Sequence, residues 1–304
     1  MRTFLLRRLM VCVASLPVVG LALPAAASTY AVAPNIAAGI ANALHNPGVS
    51  PPGTNLSSCS LAQHPYPVVM VPGTFSVMED DFGALAPDLA NAGYCVYAFN
   101  YGALSPNALI EAIGPVPQSA QQLAAFVSQV LSRTGAAKVD LVGHSQGGML
   151  LEYYAKLLGG ASLIHKLIAL SPTTHGTSLD GLANLASFIP GANQVVGGVC
   201  PACADQESGS AVIRQLDNGP IAQAGVSYTV IETLDEFVVT PVGSSFINEP
   251  GVDNEYVQDY CLFDAVDHAD LAYDNVVIQL VKNALTPSSA RSPNCFMQFP
   301  WPAQ

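Results

Sequence analysis

From Pro67 onward the chain alternates between short apolar segments and longer amphipathic segments, and this alternation constrains the fold more than any other feature. Short apolar runs predict buried strands, whereas apolar residues at helical spacing predict helices. Strands that alternate with helices indicate a mostly parallel central sheet with helices on both faces. The predicted strands are 68–71, 94–100, 138–143, 163–172 and 226–235, and the predicted helices are 82–93, 118–135, 146–160 and 271–285.

Two stretches lie outside this alternation. Residues 28–66 are rich in Ala, Asn, Pro and Ser, and "NPGVSPPGTNLSS" within them predicts irregular chain. We interpret 28–66 as an N-terminal extension that wraps the α/β domain of residues 67–304. Residues 172–225 are rich in Gly, Ala and Ser, and a long insertion of this kind is typical of a lid or a binding segment. We therefore predict a lid-like insertion there.

The first 27 residues have the pattern of a secretory signal peptide. Arg2, Arg7 and Arg8 precede a short apolar run that ends at the small residues Ala25 to Ala27. A basic start, an apolar run and small residues before the cleavage point are typical of exported proteins. The run is shorter than the roughly 20 residues that a membrane span needs, so no span is predicted. The sequence therefore predicts a secreted, extracellular protein.

The chain is strongly acidic, with 22 acidic and 10 basic residues and a formal net charge of −12. Cleavage after residue 27 removes three arginines and no acids, which takes the charge to −15. A surface of this sign repels nucleic acid and anionic membranes, so we expect no nucleic-acid partner. No metal-site spacing of Cys and His and no phosphate-binding loop is visible, so we predict no cofactor and no metal.

Cleavage also removes Cys12 and leaves six cysteines, an even number that indicates disulfides in an exported protein. The sequence alone does not choose among the many connectivities. Cys200 and Cys203 have the spacing of a redox motif, but no thioredoxin-like strand precedes them. We therefore interpret these two as a local structural disulfide. The six are Cys59, Cys95, Cys200, Cys203, Cys261 and Cys295.

The stretch "KVDLVGHSQGGML" contains a G-x-S-x-G pattern with Ser145 at its centre. A pattern this short arises by chance, and the alternative is a glycine-rich turn with an incidental serine. Here an apolar strand precedes the pattern and a helix follows it, which is the context of a catalytic serine on a sharp turn. The glycines leave room for the strained backbone of such a turn. We therefore predict that Ser145 is a nucleophile.

A nucleophilic serine needs a general base, and the base needs an acid that orients it. Three histidines follow Ser145, namely His165, His175 and His268. His165 lies near the start of a strand, and only Glu152 lies between Ser145 and His175. His268 lies in a loop just before the last predicted helix, where the base of this architecture belongs. We predict that His268 is the base, with a surface histidine among acids as the alternative.

The acid is expected at a strand end between the serine and the base. The stretch "YTVIETLDEFVVTP" has Asp235 in the loop after a predicted strand, with Glu232 and Glu236 as alternatives. Glu232 still lies within the strand, and Glu236 should point opposite to its neighbour. We therefore predict Asp235 as the acid.

An ester oxygen that gains negative charge requires two backbone N–H donors aimed at one point. One donor belongs to Gln146, the residue after the nucleophile. The other is expected in the loop after the first strand, where "VVMVPGTF" has Gly73 and Thr74. We predict that Thr74 and Gln146 form the oxyanion hole, with the Thr74 hydroxyl as an additional donor. The alternative is that Pro72 and Gly73 form only a turn.

Together these features resemble the secreted class 2 triacylglycerol lipases of actinobacteria and, more distantly, the fungal lipase B type. The resemblance runs from about residue 51 to 285 through "PPGTN", "PVVMVPGTF", "VDLVGHSQGGML", "LSPTTHGT", "TLDEFVVTP" and "DAVDHADL". Pro72 stands where the actinobacterial enzymes usually have histidine, as in the lipase B type. The resemblance implies an α/β-hydrolase fold with a Ser145, Asp235 and His268 triad and an oxyanion hole of Thr74 and Gln146. It also implies the disulfides Cys59–Cys95 and Cys261–Cys295, which leaves Cys200 with Cys203.

We therefore expect a secreted serine ester hydrolase, either a triacylglycerol lipase or a carboxylesterase. Its substrate would be a lipid or another ester with an apolar acyl group, in solution or at a lipid–water interface. An acyltransferase or a cutinase-like polyesterase would use the same residues and is the alternative among enzymes. The alternative that is not an enzyme, an acyl-ligand-binding protein on a retired hydrolase fold, is disfavoured because no triad position is vacant.

Overall fold

The computed structural model describes residues 29–104, 110–192 and 200–298, so the predicted signal peptide lies outside the described residues. At its centre is a six-stranded sheet in which every neighbouring pair of strands is parallel. The strands are β1 Val68–Val71, β2 Val96–Ala98, β3 Val139–His144, β4 Ile164–Leu170, β5 Ser227–Glu232 and β6 Val252–Tyr256. Their order across the sheet is β2-β1-β3-β4-β5-β6.

Helices cover both faces of this sheet, as the alternation predicts. The described helices are α1 Ile36–His45, α2 Met78–Phe82, α3 Leu85–Asn91, α4 Val116–Thr134, α5 Gln146–Leu157, α6 Leu179–Phe188, α7 Pro201–Gln206, α8 Ala211–Leu216, α9 Val257–Tyr260 and α10 Asn275–Leu285. Among the described residues, no helix has the length and apolar character of a membrane span.

Strand β1 shows why the core has two halves. Val69 and Val71 lie in the apolar cluster that includes the buried residues of α4 and α5. Val68 and Met70 lie in the cluster that includes the buried residues of α3 and α10. Successive side chains of a strand point to opposite faces, so a strand that is covered on both sides has to be apolar throughout. The mostly parallel sheet with helices on both faces is therefore confirmed.

Three disulfides tie irregular segments to this core. Cys59 joins Cys95, which lies just before β2, with a Cα–Cα distance of 5.7 Å. Cys200 joins Cys203 across the start of α7, with a Cα–Cα distance of 5.2 Å. Cys261 joins Cys295 with a Cα–Cα distance of 5.4 Å, and so links the segment after α9 to the C-terminal chain. All three predicted pairings are confirmed.

The insertion contains helices α6, α7 and α8 rather than irregular chain alone. Leu182 and Leu185 of α6 pack with Phe75, which follows the first strand, and with Val238, which follows β5. Because these two loops both flank the carboxyl edge of the sheet, α6 lies over that edge. The same edge carries Ser145.

Candidate active site

Ser145 occupies the sharp turn between strand β3 and helix α5. The strand ends at His144, the helix begins at Gln146, and Ser145 between them has φ 53° and ψ −124°. Its N–H donates to the carbonyl of Leu170 at the end of β4, over a distance of 2.8 Å. The predicted strand–turn–helix unit is therefore confirmed, and the serine stands at the carboxyl edge of the sheet. A positive φ at a residue that is not glycine is strained, and such strain is concentrated at functional sites.

The glycines of this turn are required by close approach of the backbone. A Cβ at Gly147 would overlap the carbonyl oxygen of Val71, because the start of α5 lies directly against the end of β1. A Cβ at Gly143 would come within 2.6 Å of the Gly147 carbonyl carbon. Both positions therefore need a residue without a side chain, and this requirement gives the motif its spacing.

His268 forms a buried pair with Glu236. The Nδ1 atom of His268 lies 2.7 Å from Oε2 of Glu236, and both side chains are fully buried. The other carboxylate oxygen, Oε1, accepts from the backbone N–H groups of Val238 and Val239 at 2.7 and 3.0 Å. Burial acts to raise the pKa of Glu236, but the adjacent His268 and these hydrogen bonds outweigh it and lower the pKa to about 2. Glu236 is therefore an ionised carboxylate fixed against the imidazole.

The structure does not bring Asp235 to His268, which corrects the prediction of Asp235 as the acid. Asp235 is exposed, and its backbone bridges to Asp267. The side chains of these two neighbouring residues do point in opposite directions, as predicted. The side chain that points inward to His268 is that of Glu236. The third candidate, Glu232, accepts from the N–H of Gly243 at 2.9 Å. Burial raises the pKa of Glu232 to about 7.

Ser145 and His268 each have one buried polar atom without a hydrogen-bond partner among the described residues. These atoms are Ser145 Oγ and His268 Nε2, the imidazole nitrogen that Glu236 does not contact. The His268 ring lies 4.9 Å, centroid to centroid, from the ring of His144, which immediately precedes the serine. The hydroxyl and the ring nitrogen do not hydrogen-bond to each other in this arrangement, but neither is engaged by another described group, so both are free to act as nucleophile and base.

The other histidines after the serine have other partners. His165 Nδ1 lies 2.8 Å from Asp140 Oδ1, at the end of β3 and β4 that is opposite to Ser145. His175 Nδ1 lies 2.6 Å from Asp217 Oδ1, and both of these side chains are partly exposed.

Thr74 and Gln146 come together beside the serine. A Cβ on Gly73 would lie 3.1 Å from the Cβ of Ser145, so the loop that carries Thr74 passes next to the nucleophile. Thr74 Oγ1 donates to Gln146 Oε1 at 2.7 Å. Gln146 begins helix α5, and the first backbone N–H groups of a helix have no partner within it. Because the single hydroxyl proton of Thr74 is engaged by Gln146, its predicted use as an additional oxyanion donor does not occur in this arrangement.

Gln206 at the end of α7 connects these two residues and was missed by the sequence reasoning. Its side chain is fully buried, and Nε2 donates to Thr74 Oγ1 and to Gln146 Oε1, each at 2.9 Å. Its Oε1 accepts from Thr173 Oγ1 at 3.0 Å. The insertion therefore contributes a polar side chain to the centre of the site. The one available signal was a glutamine just after the Cys200–Cys203 pair.

Most of this chain matches a known protein family. The family model described as "Lipase (class 2)" matches residues 65–281, which is more than half of the chain. The chain belongs to this family. A triacylglycerol lipase of Pseudarthrobacter phenanthrenivorans is 36% identical over 129 residues, which are 41% of this chain and 36% of that protein. A triacylglycerol lipase of Burkholderia plantarii is also 36% identical over 129 residues, which are 41% of this chain and 32% of that protein. The matched region thus spans about a third of the length of these two relatives.

A solved structure extends the comparison to the fold. The crystal structure of Aspergillus fumigatus lipase B superposes with a TM-score of 0.62 at 19% sequence identity, and the match covers 80% of this chain and 57% of that chain. At that identity the likeness concerns the fold alone. Together with the six-stranded parallel sheet and the turn at Ser145, it establishes the α/β-hydrolase fold for this class 2 lipase family member.

Proposed function

We propose that this chain is a serine ester hydrolase in which Ser145 is the nucleophile, His268 the general base and Glu236 the acid. The observation that carries the proposal is the buried Glu236–His268 pair beside a serine with a positive φ. Glu236 holds the proton of His268 on Nδ1, so Nε2 is left as the basic nitrogen. Asp235 has no part in this proposal.

The proposed reaction uses two atoms that have no hydrogen-bond partner in the described part of the chain, Ser145 Oγ and His268 Nε2. Ser145 Oγ attacks the ester carbonyl carbon while its proton passes to His268 Nε2, and a tetrahedral intermediate forms. Its collapse breaks the bond to the alcohol, which leaves with the proton from Nε2 and generates an acyl-enzyme on Ser145. Water then attacks the acyl carbon as His268 Nε2 accepts its proton, the bond from that carbon to Ser145 Oγ breaks, Oγ takes the proton back from Nε2, and the carboxylic acid is released. Glu236 stabilises the imidazolium without being protonated.

The oxyanion of each intermediate is assigned to the backbone N–H groups of Thr74 and Gln146. A positively polarised helix N-terminus at Gln146 favours developing negative charge. The hydrogen bonds that Gln206 makes to both side chains hold the two segments in register. Preorganised donors of this kind contribute about 2.7–4 kcal/mol each to transition-state stabilisation.

The substrate is proposed to be an ester with an apolar acyl group, in the lipase and carboxylesterase class. An apolar cluster supports this choice, because Phe75 after the first strand and Val238 and Val239 after Glu236 lie in it with the buried side of α6. The activity for which the relatives are named, triacylglycerol lipase, agrees with it. We further propose residues 67–304 as the catalytic domain, 28–66 as its extension and 172–225 as the cover of the site.

Export is proposed from the sequence and from the disulfides. The pattern of a signal peptide over residues 1–27 is typical of a secreted protein, and three disulfides persist only in an oxidising compartment. The extracellular medium is therefore the proposed place of action.

The test is hydrolysis of p-nitrophenyl esters with acyl chains of about two to about sixteen carbons. This range separates a preference for short chains from a preference for long chains. Wild type and Ser145→Ala are measured below and above the solubility limit of each ester. We expect hydrolysis that depends on Ser145. A rate increase at the interface would assign a lipase, and a short-chain preference without one would assign an esterase. Full activity in Ser145→Ala would refute the proposal.

A second assay adds alcohols as acyl acceptors. Formation of a new ester would indicate acyl transfer, and release of the free acid alone would indicate hydrolysis.

A further inference from the structure

Asp81, near the end of helix α2, is a second buried carboxylate beside the proposed site. It contacts two of the segments that form the site. Its Oδ2 accepts from the backbone N–H of Gly73, one residue before Thr74, at 2.6 Å. Its Oδ1 lies 2.7 Å from Nδ1 of His144, one residue before Ser145. The Asp81 and His144 side chains are 2% and 6% exposed, so the pair is shielded from water.

The imidazole of His144 extends this connection to a third segment. Its Nε2 lies 2.9 Å from the backbone carbonyl oxygen of His268. A carbonyl oxygen only accepts, so Nε2 has to carry a proton. A carboxylate on the other side also accepts, so Nδ1 has to be protonated as well. Imidazole is a stronger base than a carboxylate by about two to three pKa units, which puts this second proton on His144.

The groups that face His144 agree with this assignment. Burial acts to lower the pKa of His144, and the charge of Asp81, its hydrogen bond and the more distant Glu236 together raise it above the ordinary value. Within α2, burial and the neighbouring Asp81 hold the pKa of Asp80 well above its ordinary value. Burial also raises the pKa of Tyr101, whose hydroxyl donates to the Pro72 carbonyl.

The remaining neighbours come from the other elements around the pair. Tyr273 donates its hydroxyl to the Asp80 carbonyl at 2.5 Å, and burial together with Asp81 and Asp80 raises its pKa. The His268 ring lies against the His144 ring. In the described part of the chain, the negative charges that raise the pKa of His144 are those of Asp81 and Glu236.

We propose that Asp81 and His144 are positioning residues, in which a doubly protonated His144 clamps the backbone of the base to the oxyanion loop. The clamp joins Gly73, Ser145 and His268 through one carboxylate and one imidazole. It fixes the distance between base and oxyanion donors without touching the substrate. The catalytic consequence of this inference rests on the proposed function. The presence of two protons on the His144 ring does not.

Asp81→Asn separates the charge of the clamp from its geometry. The asparagine Oδ1 can still accept from Gly73, and its Nδ2 can donate to His144 Nδ1, so His144 becomes neutral while its Nε2 still donates to the His268 carbonyl. In contrast, His144→Leu removes the bond to His268. His165→Leu is the matched control, because it also breaks a buried-carboxylate histidine pair, at the opposite end of the sheet.

The first readout is nitrogen-15 NMR of the wild type with labelled histidine, at a pH between 7 and 8, roughly one unit above the ordinary pKa of histidine. We expect protons on both ring nitrogens of His144, and loss of the Nδ1 proton in Asp81→Asn. A single ring proton on His144 in the wild type would overturn the proposal. This readout needs no catalytic activity, so it remains decisive if ester hydrolysis is not found.

The second readout is kinetic. We expect His144→Leu to lower kcat about tenfold or more with KM changed less than twofold, since the base is displaced and substrate contacts are not. Asp81→Asn should keep most of kcat and move the acid limb of the kcat/KM profile to higher pH, because a cation near His268 is lost. His165→Leu should change neither. An unchanged kcat in folded His144→Leu, or an unmoved acid limb in Asp81→Asn, would overturn the clamp.

Discussion

The carboxylate that orients His268 is that of Glu236, with a 2.7 Å contact between Oε2 and Nδ1. A replacement of Glu236 by glutamine leaves the size of the side chain unchanged but removes the charge and permits the wrong imidazole tautomer. By analogy with the acid of other serine hydrolases, kcat should fall by about 10³- to 10⁴-fold, with KM little changed.

Asp235→Asn is the matched control for Glu236→Gln, because the two residues are neighbours and the chemical change is the same. Asp235 is exposed, so its replacement should leave kcat within about twofold. Steady-state ester hydrolysis of the two variants decides between the carboxylates. A large loss in Asp235→Asn with activity retained in Glu236→Gln would return the role to Asp235.

Gln206→Leu tests the contribution of the insertion to the oxyanion hole. Leucine has a similar volume but makes neither of the hydrogen bonds to Thr74 and Gln146. Because Gln206 acts through these residues rather than on the substrate, we expect kcat to fall about tenfold, less than for loss of a direct oxyanion donor. Gln279→Leu, which loses only a hydrogen bond to Asn283 within α10, should be unaffected. Equal kcat values for the folded Gln206→Leu protein and wild type would remove Gln206 from the site.

Glu152 of α5 should make stability depend on pH. Burial raises its pKa to about 8. Thr174 Oγ1 lies 2.9 Å from both Glu152 Oε1 and the Ser245 carbonyl oxygen. The threonine has one hydroxyl proton, which it can donate to the carbonyl, and a protonated Glu152 can then donate to the threonine oxygen. In the unfolded chain the carboxyl loses its proton near its ordinary pKa of 4.5. Its contribution to stability is therefore full below about pH 4.5 and is lost as the pH rises towards about 8.

Glu152→Gln copies the protonated carboxyl and should remove this dependence. We expect the variant to gain stability relative to wild type as the pH is raised from 6 to 9, a span that includes about one unit on either side of the folded pKa. Urea unfolding at both pH values measures the difference, and the comparison between variants cancels the other titrating groups. A difference that does not change with pH would show that Glu152 is ionised in the folded protein.

The disulfides should differ in their contributions to stability. The Cys59–Cys95 and Cys261–Cys295 bonds close loops with sequence separations of 36 and 34, whereas that of Cys200–Cys203 is 3. By the chain-entropy model each long loop contributes about 4 kcal/mol and the short one about 2 kcal/mol. Paired Cys→Ser variants in urea unfolding measure these values. The same loss of stability for all three pairs would contradict the entropic ranking.

The sequence predicted the central part of the fold because buried parallel strands are continuous apolar runs. Strand β6 was missed because Val252–Tyr256 is polar and partly exposed, as befits the edge of the sheet. Helix α1 was missed because Ile36–His45 lies within residues 28–66, whose Pro-, Asn- and Ser-rich stretches predict irregular chain. The helix predicted over 82–93 is two short helices, α2 and α3, of which α2 begins before the predicted segment.

Some residues of the candidate site could be predicted from the sequence and others could not. Ser145 and His268 could be predicted because a strand end and the start of a helix fix where each lies. The choice between Asp235 and Glu236 could not, since it depends on the direction of the chain after β5 ends, where the strand alternation no longer fixes the phase. Gln206 and Asp81 were missed because their contacts are long-range and no local pattern marks them.

The most direct test of the account is the covalent labelling of the nucleophile. A fluorophosphonate ester reacts with an activated serine and leaves a stable adduct that resembles the tetrahedral intermediate. Mass spectrometry of tryptic peptides should find one adduct per protein, on the peptide of residues 139–156 that contains Ser145. The adduct should be absent in Ser145→Ala and should form much more slowly in Glu236→Gln. An adduct on another peptide, or none in a preparation that hydrolyses esters, would contradict the assignment of Ser145.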